Sequence, residues 1–270
     1  MTFSLGAGSE AAGYQLEAFD SVGSTNATAM ERARRGEIGP KWFVTRQQTA
    51  GRGRRQRPWQ APPGNLASSV LEVVDVAPSV AATLGFAAGL ALETALVQVS
   101  REVRMRAGGA DTLQFRLKWP NDVLANGQKL AGILVEAEAL PDRRLAVVVG
   151  IGTNVVASPE GTPYPATSLA ALGVHVGAEE LFSALSDAWA EYRAMWDDGH
   201  GFADIRRLWL ERAAGLGEPV SLKSGVTEIS GTFDTIDETG CLILRTADGK
   251  RLPITAGDVF FGPTASAGAT

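Results

Sequence analysis

Apolar and polar positions along this chain follow two different periods, and the switches between them mark most of its elements. Residues 14–19, Tyr-Gln-Leu-Glu-Ala-Phe, alternate with the period of a strand. Ser24 or Thr25 then caps a helix from Ala27 to Arg35, which Gly36 ends. Trp42 to Gln47 and Ser68 to Val74 read as strands. From Pro78 to Val99 the spacing is helical and rich in alanine, with Pro78 suited to the first turn. Gly85 and Gly89 on this helix predict close packing by a neighbour. Strands follow at 115–118, 122–124, 128–139 and 144–150. Asn126-Gly127 is a hairpin signal and Pro141-Asp142 opens a turn. The pattern predicts an antiparallel meander at the centre of a mixed sheet. Two amphipathic helices come next: 178–197 carries Leu181, Leu185, Trp189 and Tyr192, and 202–214 places Ile205, Trp209 and Ala213 on one face.

Past Gly215 the texture changes. Short runs at 219–222, 229–236, 241–246, 251–254 and 258–261 are strand-like, broken by turn residues at 237–240 and 248–249. Short strands this closely spaced predict a small barrel. The expected organisation is α+β: a domain at 1–214 built on a mixed, largely antiparallel sheet flanked by helices, and a small β-barrel at 215–262. Residues 1–13 read as frayed and 263–270 as a disordered tail. No internal repeat is present.

Composition narrows the function. The chain has 270 residues, 45% hydrophobic and 20% charged, ample for a buried core. Its net charge of −5 argues against a non-specific nucleic-acid binder. One cysteine, Cys241, excludes an internal disulfide and fits a reducing cytosol. The two histidines, His175 and His200, stand apart from other candidate ligands, so neither a zinc site nor a Ser-His-Asp triad is expected. The N-terminus lacks a signal-peptide pattern, and no apolar run reads as a membrane span. The expectation is a cytoplasmic protein that binds no membrane and holds no metal of its own.

Against this acidic background, residues 52–57 carry four arginines, Arg52, Arg54, Arg55 and Arg57, interrupted by Gly53 and followed by Trp59. Four guanidiniums repel one another until an anion joins them. The loop is therefore expected to be mobile when empty and to close over a polyphosphate, with the indole face of Trp59 offered to a base. A solvated charge run or a nucleic-acid patch is the plainer alternative. Three other clusters stand out. Ser24-Thr25-Asn26 places hydroxyls and an amide at a helix start, suited to a urea or amide group, or simply to capping. Lys118-Trp119-Pro120-Asn121-Asp122 precedes Lys129-Leu130-Ala131-Gly132 across the predicted hairpin. There an ammonium can hold a carboxylate and offset charge building on phosphorus. Gly150-Ile151-Gly152-Thr153-Asn154-Val155 resembles a dinucleotide loop only superficially, since Val155 takes the place of the third glycine and no helix follows.

Taken in order, these motifs resemble the biotin–protein ligases, over about residues 14–262. The resemblance implies a catalytic domain related to class II aminoacyl-tRNA synthetases, followed by an SH3-like barrel. It implies two half-reactions: biotin and MgATP give biotinyl-5′-AMP and pyrophosphate, and a lysine of a biotin carboxyl carrier domain then displaces AMP. It assigns Ser24, Thr25, Asn26, Gln48, Arg52, Gly53, Arg54 and Lys129 to biotin. Arg54, Arg55, Arg57, Trp59, Asn121 and Asn154 go with ATP. Lys129, Arg54 and Asp122 carry the chemistry, Asp122 orienting or deprotonating the acceptor lysine. Magnesium enters only with ATP.

The family usually has glycine where this chain has Gln56, and Pro58 stiffens the loop exit, so the path and rate of loop closure are expected to differ. Some members carry an N-terminal helix-turn-helix. About twenty residues before Ser24 are too few for one, which implies the monofunctional type with no DNA partner, a monomer or weak homodimer. A lipoate or octanoate ligase or transferase of the same fold is the alternative enzyme. A nucleotide-responsive binding module without turnover is the alternative class.

Overall fold

The computed structural model describes residues 2–108, 113–162, 164–224 and 227–261. The tail expected at 263–270 lies outside them. Seven strands form the larger sheet: β1 (Gln15–Phe19), β2 (Lys41–Thr45), β3 (Leu66–Val74), β4 (Phe115–Lys118), β5 (Asp122–Ala125), β6 (Gln128–Ala139) and β7 (Leu145–Thr153). Their spatial order is β1-β2-β3-β7-β6-β5-β4. Only β1 and β2 run parallel, because a helix returns the chain between them; every other pair is antiparallel. The predicted meander is β4 to β7, and it runs from the sheet edge to the centre. Asn126 and Gly127 both take positive φ, 48° and 80°, as a tight hairpin turn requires.

Alternation along the central strands decides which helix covers which face. Trp42, Val70, Val147 and Val149 join the main core beneath α4 (Leu84–Arg106) and α5 (Ala178–Trp196). Phe43, Leu71, Ala146 and Val148 point the other way and meet Ala29, Met30 and Ala33 of α2 (Thr25–Arg34). The expected close packing on α4 is present: a Cβ on Gly89 would sit 3.4 Å from the Trp209 indole and 3.5 Å from Leu117. Trp209 belongs to α6 (Phe202–Glu211). By length and composition Pro78–Arg106 is apolar enough to span a bilayer, but 67% of its apolar window is buried inside the protein.

Three expectations change. Residues 1–13 are not frayed over their described part: Phe3 packs edge-on against Phe182 at 5.7 Å, and α1 (Ala7–Ala11) is tied to α5 by Gly6 N–H donating to Ser186 Oγ at 2.9 Å. The helix predicted from Pro78 is interrupted after α3 (Pro78–Ala81), where bonding tightens to three-residue spacing and the Trp196 indole donates to Thr83 Oγ1 at 2.7 Å. Finally, β8 (Pro219–Ser224), β9 (Thr227–Ile236), β10 (Leu242–Arg245), β11 (Arg251–Ile254) and β12 (Asp258–Phe261) form an open antiparallel sheet rather than a closed barrel. The long β9 pairs with both β8 and β10, which leaves β11 and β12 on opposite edges. This sheet is fastened to the larger unit by the Trp119 indole, which donates to Gly240 O at 3.1 Å.

Candidate functional site

A cleft of ≈ 370 Å³ opens on the α2 face of the large sheet. Its floor follows from strand register. Gly132 of β6 lies opposite Gly152 of β7, Leu134 opposite Gly150, and Gly150 opposite Ser69 of β3. Glycine is needed here for space: a Cβ on Gly152 would meet the Trp59 indole nitrogen at 2.5 Å, and one on Gly150 would overlap Asn26 Oδ1. The Gly-Ile-Gly motif thus lies inside the C-terminal part of the paired strand β7 and is not a dinucleotide loop.

One end of the cleft is polar, with its one ion pair closed on itself. Ser24 caps α2 by accepting from Ala27 N–H at 3.3 Å. Thr25 N–H and Thr25 Oγ1 lie 2.9 and 3.1 Å from Gln48 Oε1. Asn26 Nδ2 donates to Glu136 Oε2 at 2.9 Å. Glu136 also receives Arg52, whose Nη2 is 3.1 Å from Oε1.

The other end is cationic. Lys129 Nζ lies 2.7 Å from Asp122 Oδ1 and 5.5 Å from the centre of the Trp59 ring. Arg54 Nη1 donates to Asn121 Oδ1 at 3.2 Å, and Asn121 Nδ2 donates to Ile133 O at 2.8 Å. Burial pulls the Arg54 guanidinium below its ordinary value, with Asp258 opposing. Lys118 is buried, and its ammonium stands 4.3 Å from the Tyr164 ring. Burial lowers its pKa too, against the pull of Asp122. Tyr164, desolvated and facing Asp258 and Asp122, is pushed up to about 12.

The arginine loop departs from its expected empty state, because carboxylates of the protein serve as counter-ions. Arg57 reaches Asp258 at 2.9 Å and Arg55 the same carboxylate at 3.8 Å, while Arg52 holds Glu136. Gly53 N–H donates to Arg57 O at 2.8 Å and Trp59 N–H to Gly51 O at 2.9 Å, closing the loop on itself. Arg55 and Gln56 both take positive φ, 55° and 60°. The substitution of Gln56 for glycine therefore places a side chain where backbone strain of ~1–3 kcal/mol is expected. An Asp258→Asn variant should loosen this loop. An exposed pair of this kind is worth ~0.2–1 kcal/mol, so tryptic cleavage at Arg54–Arg57 in the ligand-free protein should rise up to about fivefold. Unchanged cleavage would show that Asp258 does not restrain the loop.

Of the residues expected in the site, Ser24, Thr25, Asn26, Gln48, Arg52, Gly53, Arg54, Arg57, Trp59, Asn121, Asp122, Lys129 and Asn154 all line the cleft. Arg55 does not; it is on the exposed turn of the loop. Asn154 is buried, and its Nδ2 is committed to Thr167 O at 3.0 Å. Sequence reasoning missed Ser69, Glu136, Tyr164 and Asp258 and gave Lys118 no role. Lys118 had a visible signal, a lysine beside the tryptophan of a motif already singled out.

Comparison with known proteins agrees with this arrangement. The Biotin/lipoate A/B protein ligase family pattern matches residues 19–154, and the Biotin protein ligase C terminal domain matches residues 215–262. A biotin–acetyl-CoA-carboxylase ligase of Paracoccus denitrificans is 42% identical over 245 residues, covering 88% of this chain and 97% of the relative. The corresponding ligase of Mycobacterium tuberculosis is 36% identical, covering 91% and 88%. The biotin protein ligase of Aquifex aeolicus in complex with biotin and ATP superposes with a TM-score of 0.73 at 26% identity, covering 92% of this chain and 99% of that one. With these family patterns and relatives, this chain belongs to the biotin/lipoate A/B protein ligase family.

Proposed function

We propose that this protein is an ATP-dependent biotin–protein ligase: it forms biotinyl-5′-AMP and transfers biotin to a lysine of a biotin carboxyl carrier domain. The observation that carries the reading is the junction of the two ends of the cleft, where Lys129 and Asp122 meet beside Trp59. The relatives' names and the biotin- and ATP-bound neighbour support it.

Thr25 and Gln48 take the ureido ring, with Ser24 and Asn26 beside them at the start of α2. The valeryl chain runs over the glycine floor against Trp59, so that the carboxylate arrives at Lys129. A biotin carboxylate oxygen attacks the α-phosphorus of ATP, the bond to the bridging oxygen breaks, and pyrophosphate leaves with its magnesium. No protein nucleophile is required; the enzyme supplies position and positive charge. Arg54 and Lys129 face the developing charge, with Asn121 holding Arg54. In the second step the carrier amine attacks the acyl carbon, the bond to the phosphate oxygen breaks, AMP leaves, and Asp122 receives the amine's proton. Lys129, 2.7 Å from that carboxylate, holds it in place until the acceptor arrives. We assign residues 1–214 to this catalytic unit and 215–262 to a second unit that reaches the site through Asp258.

Incubating the enzyme with MgATP, a carrier domain and either biotin or lipoate decides the reading by mass spectrometry. The expected result is a single biotinyl adduct on the carrier and none from lipoate. An unmodified carrier with biotin, or a lipoyl adduct, overturns it.

A further inference from the structure

At the biotin end of the cleft, Ser69 and Glu136, which the mechanism above leaves unused, join Asn26, Thr25 and Gln48 in a chain of polar groups. Ser69 Oγ, fully buried on β3, lies 2.6 Å from Asn26 Oδ1 and 2.7 Å from Thr25 Oγ1. Asn26 Nδ2 contacts Glu136 Oε2 at 2.9 Å and Leu134 O at 3.3 Å. Thr25 Oγ1 is 3.1 Å from Gln48 Oε1. These contacts connect Glu136 to Gln48 through Asn26, Ser69 and Thr25.

Counting protons fixes the direction of the chain. Glu136 as a carboxylate only accepts, and so does Leu134 O, so the Asn26 amide must turn its NH₂ toward both. Asn26 Oδ1 then faces Ser69, and as an acceptor it claims the one Ser69 hydroxyl proton. Ser69 Oγ has no proton left for Thr25, so at 2.7 Å it accepts from the Thr25 hydroxyl. Thr25 spends its proton there and not on Gln48. At the mouth, Thr25 Oγ1 is left with lone pairs for a ligand, and Gln48 Oε1, which accepts from Thr25 N–H at 2.9 Å, keeps one. A site presenting acceptors selects N–H donors, which a cyclic urea supplies and an acyl chain or dithiolane does not.

We infer that Glu136 and Ser69 are positioning residues that set the hydrogen-bond polarity of the biotin pocket without touching the ligand. The inference rests on the ligase reading. Without the Ser69 hydroxyl, Thr25 turns its proton to Gln48 Oε1 and occupies the lone pair that the ligand needs. Without an acceptor at position 136, the Asn26 amide loses its principal orienting partner.

The test compares KM for biotin, KM for ATP and kcat in carrier biotinylation by wild type, Ser69→Ala, Glu136→Met and Glu136→Gln. Ser69→Ala leaves the Arg52–Glu136 pair intact, which separates the relay from any effect on the arginine loop. An unmet ligand N–H in a buried site corresponds to a rise of about 10–100-fold in KM for biotin. That rise is expected for Ser69→Ala and Glu136→Met, with KM for ATP and kcat at saturating biotin within about threefold of wild type. Glu136→Gln, which keeps an acceptor, should recover most of the loss. A merely structural role would lower the melting temperature and kcat without separating the two substrates. If Ser69→Ala binds biotin as wild type does, or loses ATP affinity equally, the relay is overturned. A wild-type enzyme that leaves the carrier unlabelled overturns the ligase reading and the relay with it.

Discussion

Lys129→Ala should bring adenylate formation down by about 10²–10³, the cost of removing one donor aimed at charge that develops in the transition state. In the proposed mechanism the ammonium meets both the substrate carboxylate and the α-phosphate. It is already paired, 2.7 Å from Asp122, and it lies 5.5 Å from the centre of the Trp59 ring. Repulsion between the incoming carboxylate and the phosphate is largest before the new P–O bond forms. A cation fixed between them lowers that cost without reorganising. The fold should survive, because the Lys129 side chain is 28% exposed and its main-chain N–H, which donates to Pro165 O at 2.8 Å, is unchanged. Loss of the pair should cost at most ~1 kcal/mol, a fall of about 2–4 °C in Tm for a domain of this size. Pyrophosphate release with biotin and ATP, measured without any carrier, isolates the first step. Near-normal release with a normal Tm would remove Lys129 from the chemistry.

What the chain discloses in advance, and what it hides, divides along contact distance. Local patterns were enough for the strands at 115–118, 128–139 and 251–254, whose boundaries coincide with the observed ones. The Asn126-Gly127 turn was legible for the same reason, since two positive-φ positions need that chemistry in place. The break between α3 and α4 was not, because it involves the Trp196 indole more than a hundred positions away. The site shows the same division. Motif residues at its two ends were named from sequence. Ser69 and Glu136 enter only through register, when β3, β7 and β6 line up Ser69, Gly150 and Leu134 across the floor. Asp258 is contributed by a different sheet, and nothing local marks an aspartate in a short edge strand as the counter-ion of a distant loop. The arginines are legible in the sequence; the carboxylates that folding brings to Arg52, Arg55 and Arg57 are not.

Arg54→Gly should separate making the intermediate from keeping it. The other loop arginines have carboxylate partners: Arg52 holds Glu136, and Arg55 and Arg57 face Asp258. Among the described residues Arg54 is hydrogen-bonded to the neutral amide oxygen of Asn121 and to no carboxylate, and burial lowers its pKa against the pull of Asp258. Once the mixed anhydride has formed, its phosphate is the anion to hand. A charged hydrogen bond of this sort is worth ~1.5–3 kcal/mol, so the variant should bind biotinyl-5′-AMP about 10–150-fold more weakly. Synthesis should persist at a measurable rate, since Lys129 still meets the carboxylate and Trp59 still packs over the glycine floor. The escaping anhydride would then acylate whatever amine it encounters. Incubating the variant with biotin, MgATP, a carrier domain and serum albumin, and probing each protein for attached biotin, reads this directly. Wild type should label the carrier alone, whereas Arg54→Gly should label albumin as well. If albumin stays unlabelled while the carrier is biotinylated at the wild-type rate, Arg54 does not retain the intermediate. Retention then passes to Arg52 and Arg57, whose release from Glu136 and Asp258 would have to accompany closure.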